Sequence, residues 1–194
     1  IKSMIDQIVA ATQAMEARSQ ALEQQLNSSA SQMNDLQARL AAPEGRGFER
    51  PFAALVLSDV ARADRVRPYL SPARRAALLD ASIAYFTSVH DYRGFDDAEG
   101  WRHGVAHGAD LMLQLALNPA FGKAELTRIR DAVATQVSPA NHFYVYGEGQ
   151  RLATPILYIA QRNLFTEAEW TAWLTQVASP APLASWGDAF SHNS

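Results

Sequence analysis

The chain has no cysteine, which excludes disulfides, thiolate metal sites and a cysteine nucleophile. That absence suits the cytoplasm and the periplasm equally, so it does not fix a compartment. Long apolar runs are missing too. None reaches the roughly 18 residues that a membrane-spanning helix needs, so the chain is not expected to span a membrane. The opening Ile1-Lys2-Ser3-Met4 lacks the apolar core of a signal peptide, and it does not start with Met, as a processed or trimmed chain would not. Charge of one sign is also lacking: 17 Lys and Arg against 20 Asp and Glu give a net charge of -3. Nothing in that balance attracts nucleic acid or an anionic membrane, so neither is expected as a partner. There is no G-x-S-x-G, no P-loop and no dinucleotide fingerprint.

Aromatic residues are present but unevenly placed. All 18 follow Pro43, the first being Phe48. Apolar residues make up 48% of the chain, enough for a sizeable core, but a core without one ring is improbable before Pro43. Periodicity explains that stretch better. Ile1, Ile5, Ile8, Thr12, Met15, Ser19, Leu22, Leu26, Ser29, Met33, Leu36 and Leu40 alternate at spacings of four and three. This is an a/d heptad seam with no Pro or Gly inside it. Residues 1–42 are therefore expected to form one long helix. It would either pair as a coiled coil, with itself or another protein through residues 1–40, or fold back on the rest of the chain.

Residues 43–47 read as a linker, with Pro43, Gly45 and Gly47 close together. Residues 48–178 read as a helical domain, and 179–194 as a flexible tail rich in Ser, Pro and Ala. Within the domain, helices are expected over 51–63, 72–89, 99–117, 123–137, 150–163 and from Thr166 onward. Ser71 is placed as an N-cap with Pro72 at the first helical position. Thr166 and Glu169 form a capping-box pair. No strand alternation of useful length is present; His142 to Tyr146 is the nearest, read as an extended link. Six helices at short spacing predict an all-α fold of antiparallel pairs, an α-α superhelix of HEAT-like type preceded by the long helix.

One segment is dense in chemistry: Gly100-Trp101-Arg102-His103-Gly104-Val105-Ala106-His107-Gly108-Ala109-Asp110-Leu111. On a helical wheel His103, His107, Asp110 and Gln114 share about 60° of arc, and Gly100, Gly104 and Gly108 form a second stripe. Mid-helix glycines cost roughly 0.5–1 kcal/mol each relative to Ala, so they imply a close neighbour, a crossing helix or a ligand. Histidines four apart can share one divalent ion such as zinc. Asp110 is better placed to orient His107. Further ligands would come from Asp91, Asp96, Asp97, His142 or Glu148. Gly104 stands where a zincin has its Glu, so that mechanism is not indicated. Glu148 and Arg151, entering the fifth helix, are within reach of the stripe, and Arg93 is a partner for Asp96 or Asp110. Three readings stay open: a structural polar seam, an acid–base site without metal, and a metal site on His103 and His107.

These residues carry a resemblance. The segment Gly100-Trp101-x-His103-x-x-Ala106-His107-Gly108-Ala109-Asp110-Leu111 resembles the hallmark of an uncharacterised bacterial helical family, the domain of unknown function numbered 2785. Asp91-Tyr92-Arg93-Gly94-Phe95, Gly147-Glu148 with Arg151-Leu152-Ala153, and Arg50 to Leu57 are similar as well. The resemblance covers roughly residues 36 to 178. It implies a HEAT-like fold and marks His103, His107, Asp110, Glu148 and Arg151 as hallmark positions without assigned roles. It implies no substrate, cofactor or partner. The sequence alone leads to a non-enzymatic helical-repeat module that binds a protein or peptide. The competing expectation is a hydrolase, metal-dependent or not, built around His103 and His107.

Overall fold

The computed structural model describes residues 2–139, 142–181 and 183–188. The fold is all-α. Helix α1 spans Lys2–Leu40, α2 Glu49–Val66, α3 Pro72–Thr87, α4 Gly104–Ala116, α5 Lys123–Ala134, α6 Glu148–Gln161 and α7 Glu167–Val177. A two-residue hairpin precedes α4, with β1 (Phe95–Asp96) antiparallel to β2 (Gly100–Trp101). No helix of the described residues is long and apolar enough to cross a membrane.

Local signals set several boundaries where the sequence places them. Ser71 caps α3, its hydroxyl accepting from the Arg74 backbone N–H, with Pro72 following. Thr166 and Glu169 cap α7 reciprocally, each side chain bonded to the other's backbone. Helix α6 ends on Asn163 at φ 52°, the left-handed conformation that Asn accepts at a helix end. Residues 142–145 form an extended link without a strand. Part of the Ser-, Pro- and Ala-rich tail lies outside the described residues; residues 186–188 make one helical turn.

Helix α4 is the hub. It packs on α2 and α6 most extensively, and also on α3 and α5. Composition explains this. Val105, Ala106, Ala109, Leu111, Met112, Leu115 and Ala116 are all buried, so the helix is apolar nearly all round, as a central helix must be. The layers run α2–α4–α6 on one side and α3–α5 on the other. The final turns of α1 lie against α2 and α3, where Met33 and Leu40 join the same core.

The third predicted helix needs a correction. It does not begin near Glu99. Gly100 and Trp101 are in the hairpin, and Gly100 has φ +81°, so it serves a turn rather than a helix face. The chain is held out of helix by long-range bonds: the Arg102 N–H donates to Gly94 O and the His103 N–H to Arg93 O. The glycine stripe therefore reduces to Gly104 and Gly108. A Cβ on Gly108 would fall inside the Phe86 ring of α3, so the close neighbour at that position is a crossing helix.

Candidate functional site

The site is assembled at the start of α4 from four segments: the hairpin, the α4 N-terminus, the 142–147 link leading into α6, and the first turn of α2. His103 is the N-cap of α4, with φ 54° and ψ 39°. Left-handed backbone costs a non-glycine residue roughly 1–2 kcal/mol, and such outliers cluster at functional sites. His107 is one turn further, with the two rings edge to face and 5.9 Å apart.

Glu148 lies beneath His103. It is the first residue of α6, after Gly147 at φ +86°, and it is buried. One carboxylate oxygen accepts the Tyr146 N–H at 2.9 Å; the other is 3.4 Å from His103 Nε2. That separation is close enough for an ion pair when the imidazole is protonated but is not aligned as a hydrogen bond. His103 Nε2 and His107 Nδ1 are both buried without a hydrogen-bond partner. Buried polar atoms in native structures are nearly always satisfied, so two orphans on adjacent rings call for an explanation. Burial, helped by the neighbouring His103, holds the His107 imidazole down to about 4, so it is neutral at physiological pH.

The other hallmark residues sort themselves. Arg151 pairs with Asp110 across α4 and α6. Asp110 therefore does not orient His107 by hydrogen bonding, as the i+3 spacing had suggested. Arg93 pairs with Asp91, not with Asp96 or Asp110; Asp96 caps its own turn through Ala98 and Glu99 N–H groups. His142 stacks on Tyr92, rings 5.3 Å apart and away from the other two histidines. Among the described residues, no group of three or more His, Asp or Glu side chains is placed to hold a metal ion. His103 and Glu148 meet; the remaining acids do not converge on them.

What surrounds the imidazoles is aromatic. Trp101 lies 4.5 Å from the His103 ring, 5.1 Å from Phe95 and 5.3 Å from Tyr146. Phe52 of α2 lies 5.6 Å from His107. Phe52, Phe95, Trp101 and Tyr146 are 42–45% exposed; Phe95 and Tyr146 pack on Trp101, and Phe52 packs on Phe48 and His107. Sequence reading stopped at the polar residues and missed this ring surface. Its signal was present, since Trp101 and Tyr146 each stand two residues before a hallmark polar residue. The surface is open rather than enclosed. A cleft of about 200 Å³ lies elsewhere, lined by Gln37, Leu40, Arg50, Ala84 and Tyr85 between the end of α1 and α3.

The platform is held rigidly. Arg102 is buried, its guanidinium 4.6 Å over the Phe48 ring, donating to Arg46 O and paired with Glu99. This fastens the hairpin to the 43–47 segment. Gly47, at φ +83°, leaves no room for a Cβ against Asp91, Arg93 and Arg102. The Tyr85 hydroxyl donates to Gly104 O at 3.0 Å, tying α3 to the first turn of α4.

Residues 36–192 match the family model described as "Protein of unknown function (DUF2785)", which covers most of the chain. The match begins inside α1, at the turns that pack on α2 and α3. No curated protein and no solved structure matches the chain.

Proposed function

We propose, for a chain that belongs to the DUF2785 family of proteins of unknown function, that it is a non-enzymatic module binding a protein or peptide. The binding surface is the ring cluster around Trp101. One observation carries this reading: Phe95 and Trp101 of the hairpin and Tyr146 on the α6 approach are each more than two-fifths exposed yet pack together around Trp101. Exposed aromatic clusters of this kind mark interaction sites, and Trp and Tyr dominate binding energy where they anchor a partner. The packing of α2, α4 and α6 in one layer and α3 and α5 in another supports a HEAT-like arrangement, a frame suited to presenting such a surface.

Selection of displayed peptides on the wild-type protein tests this. Enriched peptides should lose at least about tenfold in affinity against Trp101→Ala, the loss typical of a removed aromatic anchor. They should keep their affinity for Val66→Ala, a change at an exposed residue of α2 outside the ring cluster. Peptides that bind Trp101→Ala as well as wild type would refute the assignment.

The hydrolase reading rests on a different observation, the buried Glu148 carboxylate beside His103 Nε2. A carboxylate-oriented imidazole is what a general base requires. What it lacks is a nucleophile: no hydroxyl is hydrogen-bonded to either imidazole among the described residues, and no third ligand accompanies them. Turnover of simple esters that disappears in His103→Ala would put this reading ahead.

A further inference from the structure

We infer that the free part of α1 pairs with the α1 of a second copy of this chain as an antiparallel two-stranded coiled coil. The backbone is helical from Lys2 to Leu40, about 58 Å at 1.5 Å per residue. Only its end is covered. Ala30, Met33 and Leu40 are buried, whereas every described side chain from 13 to 29 is exposed, Met15 at 71% and Leu22 at 52%. A helix of this length without tertiary contacts is marginal in water. The heptad seam crosses the boundary without a break. Met33, Leu36 and Leu40 use it to pack on α2 and α3, and the same face continues toward Leu22 and Met15 with nothing against it.

Orientation follows from what already occupies the seam. In a parallel pair the second helix lies along this face at roughly 8–10 Å for its whole length. Beyond Ala30 that space is filled by the chain's own α2 and α3. An antiparallel partner runs the other way, which carries its domain away from this one.

Charge then selects a register. With a positions at 5, 12, 19 and 26 and d positions at 8, 15, 22 and 29, an antiparallel pair sets each a against a d of the other strand. One register aligns Thr12 with the partner's Met15, Ser19 with the partner's Ile8, and Ile5 with the partner's Leu22. Thr12 and Ser19 are then each matched to a large apolar residue. The flanking e positions align Lys2 with the partner's Glu23, opposite charges that occur twice by symmetry. The register one heptad longer aligns Glu16 with the partner's Glu16 and Arg18 with the partner's Arg18.

The chain has no cysteine, so introduced thiols report cleanly. Sedimentation equilibrium of the full chain should give twice the chain mass, falling to one chain for Leu22→Asp with the thermal transition of the domain unchanged. Under mild oxidation, Leu22→Cys mixed with Ile5→Cys should form a disulfide between the two variants. Neither variant alone should cross-link, because in this register each is about 25 Å from its own copy. A monomer at the highest concentration reached, a dimer that survives Leu22→Asp, or efficient linkage of Leu22→Cys to itself would each overturn the inference.

Discussion

Two buried polar clusters sit on either end of α4, and they are built to opposite rules. At the C-terminal end, Asp64 of α2 is fully satisfied. It accepts the Tyr69 and Leu70 N–H groups, two guanidinium bonds from Arg75 and one from Asn118, all at 2.7–3.0 Å. At the N-terminal end, His103 and His107 are only half-buried, yet each keeps a buried nitrogen without a hydrogen-bond partner, and His103 does so in a left-handed backbone. A buried network with every atom paired ties elements together. A buried nitrogen left without a hydrogen bond costs stability instead of adding to it. The contrast separates the structural end of α4 from the end assigned to binding.

The largest expected effect lies at the structural end. Asp64→Ala leaves the Arg75 charge and three further donors unmatched, so urea unfolding should show a loss of about 3–5 kcal/mol, the range for breaking a buried pair by removing one member. A loss under about 1 kcal/mol would erase the distinction between the clusters. Next comes Gly108→Ala, which drives a methyl into Phe86 and should cost about 1–3 kcal/mol as an overpacked contact. A neutral result would mean that α4 and α3 can separate at the site.

Acid should resolve the two clusters in sequence. His107 is held down from 6.5 to about 4 by burial and by His103. The unfolded chain therefore binds its proton first, and stability falls as the pH drops from about 6.5 to 4. Asp64 is also lowered, to about 2: burial raises it, but the bonds from Arg75, Leu70, Tyr69 and Asn118 outweigh burial. Its stabilisation is present above 3.8 and is lost as the pH falls from there toward 2. Stability measured against pH should thus decline in two stages, and His107→Gln should remove the upper one only.

How much of this could be read beforehand depended on how local the cause was. The caps at Ser71 and Thr166 are local chemistry, and both stand where the residues place them. The all-α class followed from periodicity, and the candidate site was picked out by the density of His and Asp after Trp101. The start of α4 was not legible, because bonds from His103 and Arg102 to Arg93 and Gly94 displace a turn that propensity alone would make helical. The role of Asp64 was invisible for a similar reason: its side-chain partners lie 11 and 54 residues away. Gly108 was read correctly as a close approach, but nothing local could name Phe86 as its neighbour.

The most direct test of the comparison is the urea stability of His103→Gly. Glycine relieves the left-handed backbone and removes an imidazole whose buried nitrogen has no partner. If that end of α4 is kept for binding, the midpoint should stay unchanged or rise, by up to about 1–2 kcal/mol of relieved strain. A fall of more than about 1 kcal/mol, the size of a lost structural interaction, would show that His103 holds the fold together as Asp64 does and would contradict the account.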